Sequence, residues 1–151
     1  MDSKHITSTS LIFHSHGVKK IEFNVIPPQT FEDETDTKLS LDIDFSKGIK
    51  ILDGNKFLAS LAVQIKGTNS KNQIVLSLNA CIDGYFTTES TKDLEAHTNI
   101  NAITILFPYL RTVVSSITSI SNYGEIILPA MNIINWFEKE KENSINMNSD
   151  E

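Results

Sequence analysis

Leu106-Phe107-Pro108-Tyr109-Leu110-Arg111, an apolar-striped run to Tyr123-Gly124, and then Ile126-Ile127-Leu128-Pro129-Ala130-Met131-Asn132 form the stretch that decides this fold. Pro108 has a fixed φ and no N–H, which suits the first turn of a helix. From there Leu110, Val113, Val114, Ile117 and Ile120 recur at spacings of three and four, which predicts one buried helix face from Pro108 to Tyr123. Gly124 stands where a helix end favours positive φ. Pro129 keeps the next residues extended until Asn132 can cap a second, shorter helix. The C-terminal third is therefore predicted as helix, extended apolar link, helix.

Upstream, the period changes to two. Val18–Val25, Lys38–Phe45, Phe57–Lys66 and Ile74–Ile82 alternate apolar with polar residues, the mark of strands with one buried face. A short β-prone run, Thr9 to Phe13, precedes them, with Gly17 expected at a bend or bulge and Gly84 at a bulge. Ser46-Lys47-Gly48 reads as a bend, and Asp53-Gly54 and the polar run Gly67–Asn72 read as turns. Pro27-Pro28 interrupts the pattern, so Ile26 to Phe31 reads as a stiff crossover. Strands followed by helices give α+β: a four-stranded antiparallel meander, with a long and a short C-terminal helix packed on one face.

At 151 residues with 40% hydrophobic side chains, the chain reads as one domain over residues 1–142. The polar run 143–151 is expected to be disordered. A net charge of −6 argues against nucleic acid or an anionic membrane as partner. No run approaches the ~18 consecutive apolar residues of a membrane span. The first residues lack a basic-then-apolar signal, so the expected location is cytoplasmic. The lone Cys81 rules out an internal disulfide.

Chemistry is sparse. His14 and His16 share one side of an extended chain but lack a third ligand nearby, so no metal is expected. Cys81 has no basic neighbour in sequence to activate it. Asp42 and Asp44 share a strand face and read as a solvated pair. No phosphate loop or serine elbow is present. No catalytic residue and no cofactor is predicted. What stands out is surplus apolar surface. Ile126, Ile127 and Leu128 are consecutive, so at least one cannot face the core. Met131, Ile133, Ile134, Trp136 and Phe137 crowd a short helix, and the crossover adds Ile26 and Phe31. Together they suggest an apolar groove. The small hydroxyl face of the long helix, with Arg111, Thr112, Ser115, Ser116, Thr118 and Ser119, leaves room for another subunit, and Arg111, Thr112, Ser115 and Ser119 are the expected contact residues.

Leu106-Phe107-Pro108-Tyr109-Leu110-Arg111, the Gly124 break, Leu128-Pro129-Ala130-Met131-Asn132 and Trp136-Phe137 resemble the SecB-type protein-export chaperones. So do Val18-Lys19-Lys20-Ile21-Glu22-Phe23, the Pro27-Pro28 crossover, Lys38-Leu39-Ser40-Leu41-Asp42 and Gly84-Tyr85-Phe86. The resemblance covers roughly residues 9–138. It implies an ATP-independent holdase, a dimer of dimers with the long helices between the dimers, and grooves for non-native polypeptide. By that match the groove candidates are Ile26, Phe31, Ile126, Leu128, Met131, Ile134 and Phe137. Export members dock on the translocation motor ATPase through acidic residues on the outward sheet face. Here Lys20, Asn24 and Asn79 occupy those positions, leaving Asp42 and Asp44 as a displaced patch. A dedicated chaperone or interaction module for one partner, such as a toxin–antitoxin pair, is the alternative, and a small-ligand binder the next.

Overall fold

The computed structural model describes residues 11–28, 38–89 and 96–148. Four strands and two helices follow in order: β1 (Ile12–Val25), β2 (Ser40–Asp53), β3 (Lys56–Thr68), β4 (Ile74–Thr87), α1 (Ala96–Thr118) and α2 (Ile133–Asn148). The sheet is antiparallel and its order is β1-β4-β3-β2, which corrects the plain meander expected from loop lengths. Only β2, β3 and β4 meander. Pro27-Pro28 prevents a tight hairpin after β1, so the chain crosses from one edge of the sheet to the other before β2 begins.

Two strands run further than their alternation suggested. β1 is continuous through Gly17, and its irregularities lie at Phe13/Ser15 and Val18/Lys20. β2 passes through Ser46-Lys47-Gly48, with Lys47 opposite Leu61 and Gly48 opposite Ser60. Gly54 takes φ 55° in the β2–β3 turn. In the β3–β4 turn Asn69 Oδ1 accepts from the amides of Lys71 (3.0 Å) and Gln73 (2.9 Å).

One sheet face carries the core. Phe57, Ala59, Leu61, Val63 and Ile65 of β3 and Leu76, Leu78, Ala80, Ile82 and Phe86 of β4 are buried. α1 lays Ala102, Ile103, Leu106, Leu110 and Val114 on them. Gly84 is the notch that lets it approach. A Cβ there would lie 2.6 Å from Leu106 Cδ2 and 2.7 Å from Phe86 Cε2, and β4 stays in register with β3 across it, so the expected bulge is absent.

Pro108 does not start α1; it lies in the interior. Its ring is exposed, and the apolar period continues on both sides of it, from Ala102-Ile103 to Val114. Packing along that period outweighs the one backbone bond that proline forfeits. Residues 99–118 are long and apolar enough to span a membrane, with mean hydropathy 1.4, but this helix is laid on the sheet. The helix stops at Thr118, and Ile120 beyond it is 77% exposed rather than part of the core face. Gly124 has φ 84°, as its position suggested. Asn132 caps α2, its Oδ1 accepting the Asn135 amide at 3.1 Å. α2 then runs to Asn148, which corrects the expected disorder from residue 143 as far as that residue. Alternating Glu and Lys from Glu138 to Glu142 favour helix both intrinsically and through i,i+3 pairs.

Candidate functional site

The link between the helices is pinned at three points. Thr118, fully buried, donates its hydroxyl to the Val114 carbonyl (2.7 Å) and accepts the Ile126 amide (2.8 Å). Ser115 Oγ donates to Glu125 Oε1. Tyr123 donates its hydroxyl to the Ile26 carbonyl at 2.7 Å, and the Ile26 amide donates to Val75 O at 2.7 Å. The hydroxyl of Tyr123 thus ties the start of the crossover to the link. Thr118→Val keeps the shape and removes the acceptor for the buried Ile126 amide. It should cost about 1–3 kcal/mol, read as a lower denaturation midpoint with an unchanged slope.

Held this way, the link alternates. Ile126 is 7% exposed and Leu128 0%, so both lie in the subunit core, while Ile127 between them is 61% exposed. The consecutive apolar run does leave one residue outside, and it is Ile127, which the sequence reading did not single out. Among the other groove candidates, Ile26 (51% exposed) and Ile134 (55%) present apolar surface. Met131 and Phe137 are half-buried against the core. Phe31 lies outside the described residues. Ile120 and Ile74 add exposed apolar surface at the ends of α1 and β4. The signal for Ile127 was available in principle: Thr118 fixes the phase of the link, and every second residue then faces out.

α2 sits over the inward side of β2. Trp136 lies 6.3 Å from Phe45 between ring centroids, and Phe45 lies 6.0 Å from Phe107 of α1. Lys47 extends beneath the helix, with Nζ 4.0 Å from the Trp136 ring centroid and 4.4 Å from that of Phe137, and forms an ion pair with Glu140.

Of the residues expected at a subunit contact, Arg111, Thr112 and Ser119 are exposed on α1 and just beyond it, and Ser115 is half-buried. Thr112 and Ser119 donate their hydroxyls back to the carbonyls of Pro108 (3.1 Å) and Ser116 (2.7 Å), leaving a smooth surface of small side chains.

The histidines have separate contacts. His14 Nε2 and Thr87 Oγ1 share a 2.9 Å hydrogen bond, whereas His16 stacks on Tyr109 with centroids 3.8 Å apart. Among the described residues no group of three or more His, Cys, Asp or Glu could hold a metal. Burial, and secondarily Asp83, pushes the Cys81 thiol above its ordinary pKa, with Lys19 opposing, so the environment disfavours the nucleophilic thiolate. On the outward face, Lys20, Asp44, Gln64, Asn79 and Cys81 line a depression of about 330 Å³. Lys20 also lies 3.3 Å from Glu22, so that surface carries mixed charge.

A comparison with protein families matches residues 7–144 to the preprotein translocase subunit SecB family. The chain belongs to that family. Among characterised and uncharacterised relatives, it is 30% identical over 132 residues to an uncharacterised protein of Methanocaldococcus jannaschii, covering 82% of this chain and 80% of that protein. Among solved structures, the fold resembles the SecB-like chaperone of Mycobacterium tuberculosis, solved in complex with a peptide from an antitoxin. The TM-score is 0.66 at 14% identity, covering 81% of this chain and 91% of that one. That likeness bears on the fold: four antiparallel strands in an open sheet with two helices.

Proposed function

We propose that this protein is an ATP-independent holdase that binds non-native polypeptides on the apolar strip formed by the crossover, the link and α2. The observation that carries the reading is the outward placement of Ile127 and Ile134 on segments whose neighbouring residues, Ile126, Leu128 and Ile133, are buried. Ile127, held outward on the pinned link, and Ile134, outward on α2, offer apolar surface to a binding chain. Burial of apolar area is non-directional and worth about 25 cal/mol per Å², so such a surface favours unfolded chains without reading their sequence. Folded proteins hide the matching segments and leave. Family membership supports a chaperone role, and the mycobacterial structure supports a polypeptide as the bound species.

The working form in this reading is a cytoplasmic homotetramer, a dimer of dimers joined across the small-residue face of α1. Four chains of 16.9 kDa should elute as one species; a stable monomer at micromolar concentration overturns that assembly. A second reading, a chaperone dedicated to one partner, is favoured by Lys20, Asn24 and Asn79 on the outward sheet face, where export members carry acidic residues for the motor, and by the antitoxin peptide on the mycobacterial relative.

The test is suppression of aggregation of several unrelated unfolded proteins. Protection of many supports the general holdase; protection of one supports the dedicated chaperone; protection of none defeats both. Ile127→Asp with Ile134→Asp should weaken client binding by about tenfold or more, since each isoleucine buried is worth ~1.5–3 kcal/mol. Unchanged affinity in that folded variant means the strip is not the binding surface.

A further inference from the structure

The inward face of β2 reads Ile43, Phe45, Lys47, Ile49: one cation in an apolar stripe. The Lys47 side chain is only 9% exposed, and its ammonium is enclosed by α2, with the rings of Trp136 and Phe137 above it and the Glu140 carboxylate beside it. A buried ammonium needs such partners, and all three come from a single helix. The other described side chains of α2 bury little. Ile133 is buried and Trp136 and Phe137 are half-buried, whereas Ile134 and residues 138–143 are exposed. Among the described side chains of α2, this turn of apolar contact and the cluster around Lys47 seat the helix.

We propose that Lys47, Trp136, Phe137 and Glu140 form a clasp that holds α2 as a lid over the Phe45–Phe107 surface, and that its release enlarges the polypeptide-binding strip. The proposal rests on the holdase reading for the nature of the occupant but not for the clasp itself. An ion pair whose carboxylate is solvent-exposed is screened by salt, and the Debye length falls from ~10 Å at 0.1 M to ~3 Å at 1 M. Lid release is thus salt-sensitive. An incoming segment with its own apolar and cationic side chains competes for the same rings.

Trp136 is the single tryptophan, so its emission reports the seat of α2 directly. Glu140→Lys changes an exposed helix residue and leaves the core alone; Lys47→Glu attacks the clasp from the strand; Lys47→Arg conserves it. Glu140→Lys and Lys47→Glu should red-shift Trp136 emission with wild-type circular dichroism, and should capture an unfolded client about tenfold faster, the scale of one lost cation–π and ion-pair cluster. Lys47→Arg should match the wild type, and 1 M salt should shift the wild type toward the two variants. Unshifted emission in both charge variants overturns the clasp. A red shift without faster capture overturns the lid. A red shift in a protein that captures no client supports the clasp and defeats the chaperone reading instead.

Discussion

Leu128→Asp is expected to leave no folded protein at all, rather than a folded chaperone with a damaged groove. Leu128 is fully buried between the link and the sheet. Replacing it removes apolar contacts worth ~2–5 kcal/mol in comparable truncations and places a carboxylate in the core with no cation provided for it. An unpaired buried charge costs several kcal/mol more. Together these approach or exceed the roughly 5–15 kcal/mol by which a domain is stable. Circular dichroism and size-exclusion chromatography at 25 °C give the answer: loss of the sheet signal, with aggregated or protease-sensitive chain. A variant that folds normally and loses only client binding would show that Leu128 faces a groove and that the link is not packed as described. Ile127→Asp, one residue away, should remain folded. The contrast between neighbours makes the pair informative.

Gly84→Val should be the second most damaging change. The notch at Gly84 is filled by Leu106 of α1 and by the ring of Phe86, and a Cβ would enter both at 2.6 and 2.7 Å. Valine adds two methyl groups beyond that Cβ, so α1 must lift or the strand must bend. Overpacking of this kind costs ~1–3 kcal/mol and sometimes more, which for a chain of this size lowers Tm by about 2–12 °C. Gly84→Ala should lie between valine and wild type. Leu106→Ala combined with Gly84→Val should cost less than the sum of the two single losses, because the two side chains compete for one space. Additive losses in the double variant would mean that the helix does not dock at this notch.

Much of the fold was legible because its signals are local. The period-two pattern of Phe57 to Ile65 and Leu76 to Ile82 depends only on a sheet with one dry face, and the cap at Asn132 and the positive φ at Gly124 depend on neighbours a few residues away. The failures are non-local. Sheet order turns on whether Pro27-Pro28 turns back or crosses, and hairpin-length loops elsewhere biased the reading to a meander. Pro108 suggests a helix start to any local rule, and only the sheet beneath α1 shows why a proline is tolerated in its interior.

The site was half legible for the same reason. Apolar surplus in the link is visible from composition, but which residues of Ile126, Ile127 and Leu128 face out depends on the phase set by the Thr118 hydroxyl, a residue read as part of the smooth outer face of α1. Likewise Lys47 looked like part of a bend. Nothing in its own segment reveals that aromatic rings nearly ninety residues later enclose its ammonium.

The position of β1 beside β4 also sets a timetable. During synthesis β1 leaves the ribosome before the other three strands, yet the strand it pairs with is the last of the sheet to be made. Until Thr87 has emerged, a fourteen-residue strand must wait without its neighbour, alongside a hairpin of β2 and β3 that can already close. Sequence-distant pairing of this kind slows folding and prolongs exposure of sticky edges. From the emergence of Val25 to that of Thr87, the protein is itself an unfinished chain of the kind proposed here as its client.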